Sequence, residues 1–175
     1  MEPILTLIKT NLRRYTFESP KIKEWIESRS NGRVLNLFAG KTKLNLNEIR
    51  NDIDKEMIAD YYEDALDFVR EWDLEKFDTI ILDPPYSTRK AMEMYKGNLN
   101  SRFKLIADEI PRILKDDGIV ISLGHHSTFM GNVRNFELKE MCVFAHGGAQ
   151  HCTIGIVEKS KELSKKTKDE DSIYF

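Results

Sequence analysis

The stretch Phe77-Asp78-Thr79-Ile80-Ile81-Leu82-Asp83-Pro84-Pro85-Tyr86 decides how this chain folds. Its first six residues form an apolar, β-branched run, and the double proline ends it because proline gives no amide donor to a sheet ladder. A buried strand over 77–82 is therefore predicted, stopped by an Asp-Pro-Pro-Tyr segment. Upstream, Ala65, Phe68, Val69 and Trp72 recur at i, i+3, i+4 and i+7, which predicts a helix over Asp64–Trp72. Lys55–Tyr61 reads as a short helix, and Glu48–Asp54 as a weaker, polar strand. Val34-Leu35-Asn36-Leu37-Phe38 is a second short apolar strand, closed by Ala39-Gly40. Before it, Ile22, Trp25 and Ile26 mark an amphipathic helix over Pro20–Ser30, with Ser19 as N-cap and Pro20 at the first helical position.

Downstream, Phe103–Leu114 has a helical period with Pro111 inside it, so a kink or early end is expected. Asp116-Asp117-Gly118 turns the chain into a buried strand over Ile119–Leu123. Phe136–His146 and His151–Val157 flank Gly147-Gly148-Ala149-Gln150, the signal of an antiparallel hairpin. Strands alternating with helices imply an α/β fold. The expected form is Rossmann-like and doubly wound, with a mostly parallel sheet, helices on both faces and one C-terminal antiparallel hairpin. Such sheets bind ligands at the carboxyl ends of their strands, beside the topological switch point.

Composition narrows the classes. The chain has 175 residues, 27 Lys+Arg against 29 Asp+Glu, four His and two Cys, with 41% hydrophobic and 32% charged residues. That length suits one domain, expected over 1–157, followed by a charged, flexible tail over 158–175. The net charge of −2 excludes bulk attraction to polyanions, so a nucleic-acid role needs a local basic patch. No apolar run approaches the roughly 18–20 residues of a membrane span, and the N-terminus does not read as a secretory signal. Two cysteines cannot staple a domain of this size, so reduced thiols and a cytoplasmic location are expected.

The chemistry concentrates after the strands. Two prolines hold the chain extended, so the Asp83 carboxylate and the Pro84 carbonyl can face a pocket as a pair of acceptors, with Tyr86 as a flat surface beside them. That set suits a planar amine: two acceptors for its two N–H groups and a ring to stack on. An ordinary Asp-Pro turn with a core tyrosine is the bland alternative.

Asp83-Pro84-Pro85-Tyr86 resembles the signature of the class I, S-adenosylmethionine-dependent methyltransferases that act on amino groups. Val34-Leu35-Asn36-Leu37-Phe38-Ala39-Gly40 is similar to that family's cofactor loop. Asn51-Asp52-Ile53-Asp54 stands where the family puts an acidic residue on the cofactor ribose, and Glu63-Asp64-Ala65 where an Asp meets the adenine amine. The resemblance covers roughly residues 12–157 and is closest to the small ribosomal-RNA guanine-N2 methyltransferases, which share the Phe-Ala-Gly loop, the absence of an inserted recognition domain and an Arg/Thr-containing segment, here Arg13, Arg14 and Thr16. It implies S-adenosylmethionine as cofactor, held by Thr16, Asn36, Phe38, Ala39, Gly40, Asp52, Ile53, Asp64, Ala65 and Asp83. Asp83, Pro84, Pro85 and Tyr86 would be catalytic, and Tyr86, Arg89, Lys90 and His125 would bind substrate. The pattern departs at two places: the usual acidic residue is Asn36, and the loop's second glycine is Thr42.

The implied function is N-methylation of an exocyclic amino group of a nucleobase, with RNA or a ribosomal subunit favoured because no chain is left for a separate reader of duplex sequence. The alternatives are DNA adenine-N6 or cytosine-N4 methylation, protein glutamine N-methylation, or a degenerate fold serving as a binding subunit. Gly40-Lys41-Thr42 imitates a phosphate-binding loop, but Leu35 stands where that motif needs a glycine. His125, His126, Cys142, His146, His151 and Cys152 do not read as a zinc site, because Cys142 and Cys152 point to opposite sheet faces; no metal is expected. Basic clusters (Arg13, Arg14, Lys21, Lys23, and Arg89, Lys90, Lys96, Arg102, Lys104) read equally as solvated faces or as a phosphate-tracking surface.

Overall fold

The computed structural model describes residues 2–84 and 99–161. Pro85, Tyr86, Arg89, Lys90 and the chain past Lys161 lie outside the described residues. In chain order the elements are β1 (Ile4–Lys9), α1 (Pro20–Glu27), β2 (Val34–Asn36), β3 (Glu48–Arg50), α2 (Ala65–Glu71), β4 (Phe77–Leu82), α3 (Leu99–Ile113), β5 (Leu114–Gly124), β6 (Phe136–Ala145) and β7 (Thr153–Ser160). Seven strands among the described residues form one sheet in the order β1-β6-β7-β5-β4-β2-β3. β7 alone runs antiparallel to its neighbours β5 and β6. The chain winds outward in both directions from β2 and β4, so the switch point lies beside these two strands.

Both faces of the sheet are covered, which explains why β4 reads as a continuous apolar run rather than an alternating one. Ile80 and Leu82 pack with Phe68 and Val69 of α2, with Trp72 that caps it, and with Ile106, Ile110 and Ile113 of α3. Ile81, between them in sequence, faces the other side with Ile22, Trp25 and Ile26 of α1 and Phe144 of β6. Each such fully buried side chain is worth roughly 1.5–3 kcal/mol over leaving it in water. Trp25 meets Phe144 edge to face at 5.5 Å, and its Nε1 donates to Glu140 at 3.0 Å. A Cβ on Gly155 would come within 2.9 Å of the Trp25 ring, so glycine is what lets α1 seat on β7.

Several expectations are corrected. Lys55–Tyr61 forms no helix; a turn at Lys55-Glu56 and an isolated bridge from Asn51 to Tyr61 take its place. Asp54, next to it, prefers local bonding to helix propagation: its carboxylate accepts the amide of Glu56. The turn expected at Asp116–Gly118 is instead a bulge within β5, where pairing jumps from Phe77↔Leu114 to Thr79↔Ile119. α3 continues past Pro111 and ends at Ile113. β1 was not expected at all. It lies on the edge beside β6, with Ile4, Leu5 and Leu7 exposed, so its sequence carries no alternation to read.

The boundary drawn at residue 157 is overrun, since β7 reaches Ser160 and Lys161 N still bonds Asn135 O. Glu158, taken as the first residue of a solvated tail, is buried. Its carboxylate accepts from Thr128 Oγ1 and from the amides of Phe129, Met130 and Gly131 at 2.8–2.9 Å. Four donors offset the cost of burying that charge. Among the described residues no helix is long and apolar enough to cross a membrane.

Candidate active site

The carboxyl ends of β1 to β6, and the start of antiparallel β7, all lie at one end of the sheet, so the segments that leave them converge. They enclose a cleft of about 510 Å³. Its floor is the loop after β2. There Phe38, Ala39 and Gly40 line the cleft, with Asp83 and Pro84 leaving β4 beside them. Gly40 has φ +61 and open space where a Cβ would stand, so the backbone there is bare toward the cleft. Only glycine adopts that conformation without strain.

The loop lacks its second glycine and is braced from below. Arg50, 2% exposed at the end of β3, donates to five oxygens. Nε reaches Ile58 O at 2.6 Å; Nη1 reaches Thr42 O at 3.1 Å and Glu48 Oε1 at 2.6 Å; Nη2 reaches Ala39 O and Gly40 O, both at 3.0 Å. Glu48 in turn accepts from Leu44 N at 3.0 Å and from Asn36 Nδ2 at 3.0 Å. A buried ion pair is stable only when its remaining donors and acceptors are satisfied, and here the guanidinium spends every N–H. The brace was missed in the sequence. Its signal was Glu48-Ile49-Arg50, where opposite charges two apart on a strand share a face.

The other residues expected at the site divide into those in the cleft and those outside its wall. Thr16, Asp52, Ile53, Ala65 and His125 line it. Asp52 also orders the floor, accepting Gly40 N at 2.9 Å through one oxygen and Asp54 N at 2.9 Å through the other. Asn36 lies beneath the cleft rather than in its wall. It is fully buried, spends its amide nitrogen on Glu48, and its Oδ1 has no hydrogen-bond partner among the described residues. Asp64 is the N-cap of α2, accepting Leu66 N at 3.0 Å, and pairs with Arg102; Glu63 lines the cleft instead. Asn51 fixes Glu63 there, exchanging hydrogen bonds of 3.1 Å with its backbone in both directions.

The strap between β1 and α1 forms the opposite wall, with Arg13, Arg14 and Tyr15, and the tip of the β6–β7 hairpin adds Gln150 and His151. Nothing local in the sequence announces that Tyr15 and Gln150 meet here, or that Lys41 and His151, weighed as parts of a phosphate loop and a zinc cluster, share a cleft with them. Cys142 is buried against α1, and burial pushes its thiol pKa up, so it stays a neutral, unreactive packing group.

The floor fits S-adenosylmethionine. Gly40 leaves room for close approach, and Asp52, Asp54 and Glu63 offer acceptors to hydroxyls, an amine and a cationic centre.

No protein-family model and no curated protein matches the chain. Solved structures do. TrmN from Thermus thermophilus superposes with a TM-score of 0.61 at 16% identity, over 85% of this chain and 50% of that one, so the chain spans about half of TrmN's length. The N-methyltransferase NodS from Bradyrhizobium japonicum matches with a TM-score of 0.57 at 12% identity, covering 86% of this chain and 100% of NodS. A candidate rRNA-methylase from Clostridium thermocellum matches with a TM-score of 0.50 at 9% identity, covering 86% and 99%. The fold is the Rossmann-like one that these methyltransferases share.

Proposed function

We propose that the protein transfers a methyl group from S-adenosylmethionine to an exocyclic amino nitrogen of a nucleobase, in RNA rather than duplex DNA. The observation that carries this reading is that Asp83 and Pro84 open into the same cleft as the bare Gly40 backbone and the acidic side chains beyond it. The names of two fold neighbours, an N-methyltransferase and a candidate rRNA-methylase, support the same class.

S-adenosylmethionine supplies an electrophilic methyl group on a sulfonium. An exocyclic amine is a poor nucleophile, since its lone pair is delocalised into the base. The Asp83 carboxylate and the Pro84 carbonyl accept the two N–H bonds of that amine, which pyramidalises the nitrogen and aims its lone pair across the cleft. Asp83 then stands ready to take the proton that the methylated nitrogen sheds, so it need not be a strong base. Tyr86 stacks on the base, as its place in the motif implies. Orientation and fixed dipoles supply most of the acceleration.

The test is Asp83→Ala. Methylation of bulk RNA should fall by at least ~100-fold, the scale seen when one fixed transition-state contact is removed. A variant that methylates at the wild-type rate would overturn the assignment. Nucleoside mass spectrometry of RNA from a deletion strain should then show the one methylated base that is missing.

A further inference from the structure

The cleft is electrically divided, and one side of it has no part in the scheme above. Asp52, Asp54 and Glu63 follow β3, whereas Arg13 and Arg14 stand on the strap and Lys41 reaches it from the loop after β2. Arg14 and Lys41 both lie over the Tyr15 ring, 5.6 and 5.8 Å from its centre. Among the described residues none of these three cations has an acidic partner. Across from them His151 sits 6.1 Å from His125, ring to ring, and His125 Nδ1 is 3.1 Å from Cys152 O.

The strap is anchored at both ends. The strap is pinned where it leaves the sheet, by Thr10 N to Ala145 O at 3.0 Å and Lys21 Nζ to Lys9 O at 2.7 Å. It is pinned again where it enters α1, by Thr10 Oγ1 to Ser19 Oγ at 2.8 Å. Tyr15 itself is fixed by Glu18, whose amide donates to Tyr15 O at 3.1 Å.

We propose that this wall is a polynucleotide subsite. Arg13, Arg14 and Lys41 engage phosphodiester groups next to the target nucleotide, while Tyr15 and His151 offer flat surfaces to its neighbours. The inference rests on the methyl-transfer reading and adds the substrate's backbone to it. Three unpaired cations exceed what a single cofactor carboxylate requires, and cations interleaved with rings match a chain of anions and planar bases. The reader of substrate is then the strap and the hairpin tip, brought together from opposite ends of the sequence.

Arg13→Gln/Arg14→Gln is the test, since both side chains are exposed and the fold should tolerate the change. Anisotropy with a labelled single-stranded RNA 12-mer, and with its DNA counterpart, reads the subsite. Calorimetry with S-adenosylhomocysteine reads the cofactor floor. The double variant should bind RNA about tenfold more weakly at about 50 mM KCl, and its log Kd should depend on log salt with a slope smaller by ~1.4. S-adenosylhomocysteine affinity should stay within about twofold of wild type, on the scale of a surface change.

An equal loss with the DNA 12-mer, bound as tightly, supports the subsite and shows that it reads phosphates and base faces without regard to the sugar. Unchanged oligonucleotide binding overturns the proposal, as does wild-type protein that prefers an acidic peptide to either oligonucleotide. A parallel fall in S-adenosylhomocysteine affinity also overturns it, by giving these cations to the cofactor. Wild-type protein that fails to bind S-adenosylhomocysteine sinks the methyl-transfer reading itself, whatever the oligonucleotides do.

Discussion

The loop after β2 and the strap after β1 line the same cleft, yet they are held in opposite ways. The loop is fastened from inside: its carbonyls at Ala39, Gly40 and Thr42 each accept from buried Arg50, and its amides at Gly40 and Leu44 donate to Asp52 and Glu48. The strap is fastened only near its ends, and Leu12, Arg13 and Arg14 between them are exposed. A buried charge with every bond satisfied makes a rigid surface, because any movement leaves a donor unpaired at low dielectric. Solvated cations keep their charge and their rotamer freedom. On the proposed reading, the braced backbone of the loop suits a ligand of fixed shape and the strap one whose shape varies.

The sharpest way to break that contrast is Arg50→Met. Removing one member of a buried pair leaves Glu48 uncompensated, with four carbonyls losing a donor. Urea unfolding should show a loss of about 3–5 kcal/mol. Arg14→Gln in the same assay should move stability by no more than ~0.5 kcal/mol, as a surface change away from packed features does. If the two variants cost the same, the loop is not braced by Arg50 and the distinction between the two walls collapses. Glu48→Gln, which keeps an acceptor oxygen but drops the charge, should fall between them.

The brace also shows what sequence reasoning could reach. β4, α1, α2 and the hairpin were legible because each buries a periodic apolar face or is bounded by Pro, Gly or a capping residue. That Gly40, Asp52 and Asp83 share a cleft was legible because each follows a strand whose carboxyl end opens at the same end of the sheet. Arg50 and Glu48 were harder to read: their alternation on β3 marks a shared face, but four of the five Arg50 bonds run to backbone carbonyls, which carry no residue identity to recognise. β1 escaped for the opposite reason: as an exposed edge strand it has no buried face to impose a pattern. Glu158 was misplaced by its neighbours, since the lysines and glutamates that follow it hide the last turn of the β7 pattern inside a charged run. Asp64, before Ala65–Glu71, shows how one position carries two readings: the motif implies a ligand contact, while its side chain caps the helix.

Gly40→Ala sharpens the comparison at the floor, with a smaller effect on the fold. An added Cβ meets nothing within 4 Å, so the cost comes from holding φ +61 with an L side chain, about 1–2 kcal/mol. The methyl group would occupy the open space that faces the cleft. Calorimetry should therefore show S-adenosylhomocysteine affinity falling by more than the loss of stability explains, by roughly tenfold or more, since ~1.4 kcal/mol of lost contact is a factor of ten. If binding is unaffected, close approach at Gly40 is not how the floor holds its ligand.

A smaller effect than that of Arg50→Met is expected from a charge that is neither buried like Arg50 nor bare like Arg14. Asp78 is the second residue of β4, at the end of the sheet away from the cleft. It accepts the amide of Arg33 at 2.8 Å and Lys115 Nζ at 2.9 and 3.0 Å. The Arg33 amide first, and Lys115 second, hold its pKa below the ordinary 3.8, while the same contact raises that of Lys115. A depressed carboxylate pKa means the native state binds its proton less readily than the unfolded chain. The stabilisation is therefore fully present above about pH 3.8 and is lost as pH falls through the folded value. Lys115 gives the mirror image, with its share present below 10.5 and lost as pH rises through the higher folded value. Asp78→Asn should thus be less stable than wild type at pH 7, by less than Arg50→Met because the pair is open to solvent screening. The gap should close as acid titrates the wild-type carboxylate. Urea midpoints for the two proteins at pH 7, 5 and 3 measure it. A gap that persists undiminished at pH 3 would mean that Asp78 acts by shape rather than charge, leaving buried Arg50–Glu48 as the ion pair on which the contrast between the two walls depends.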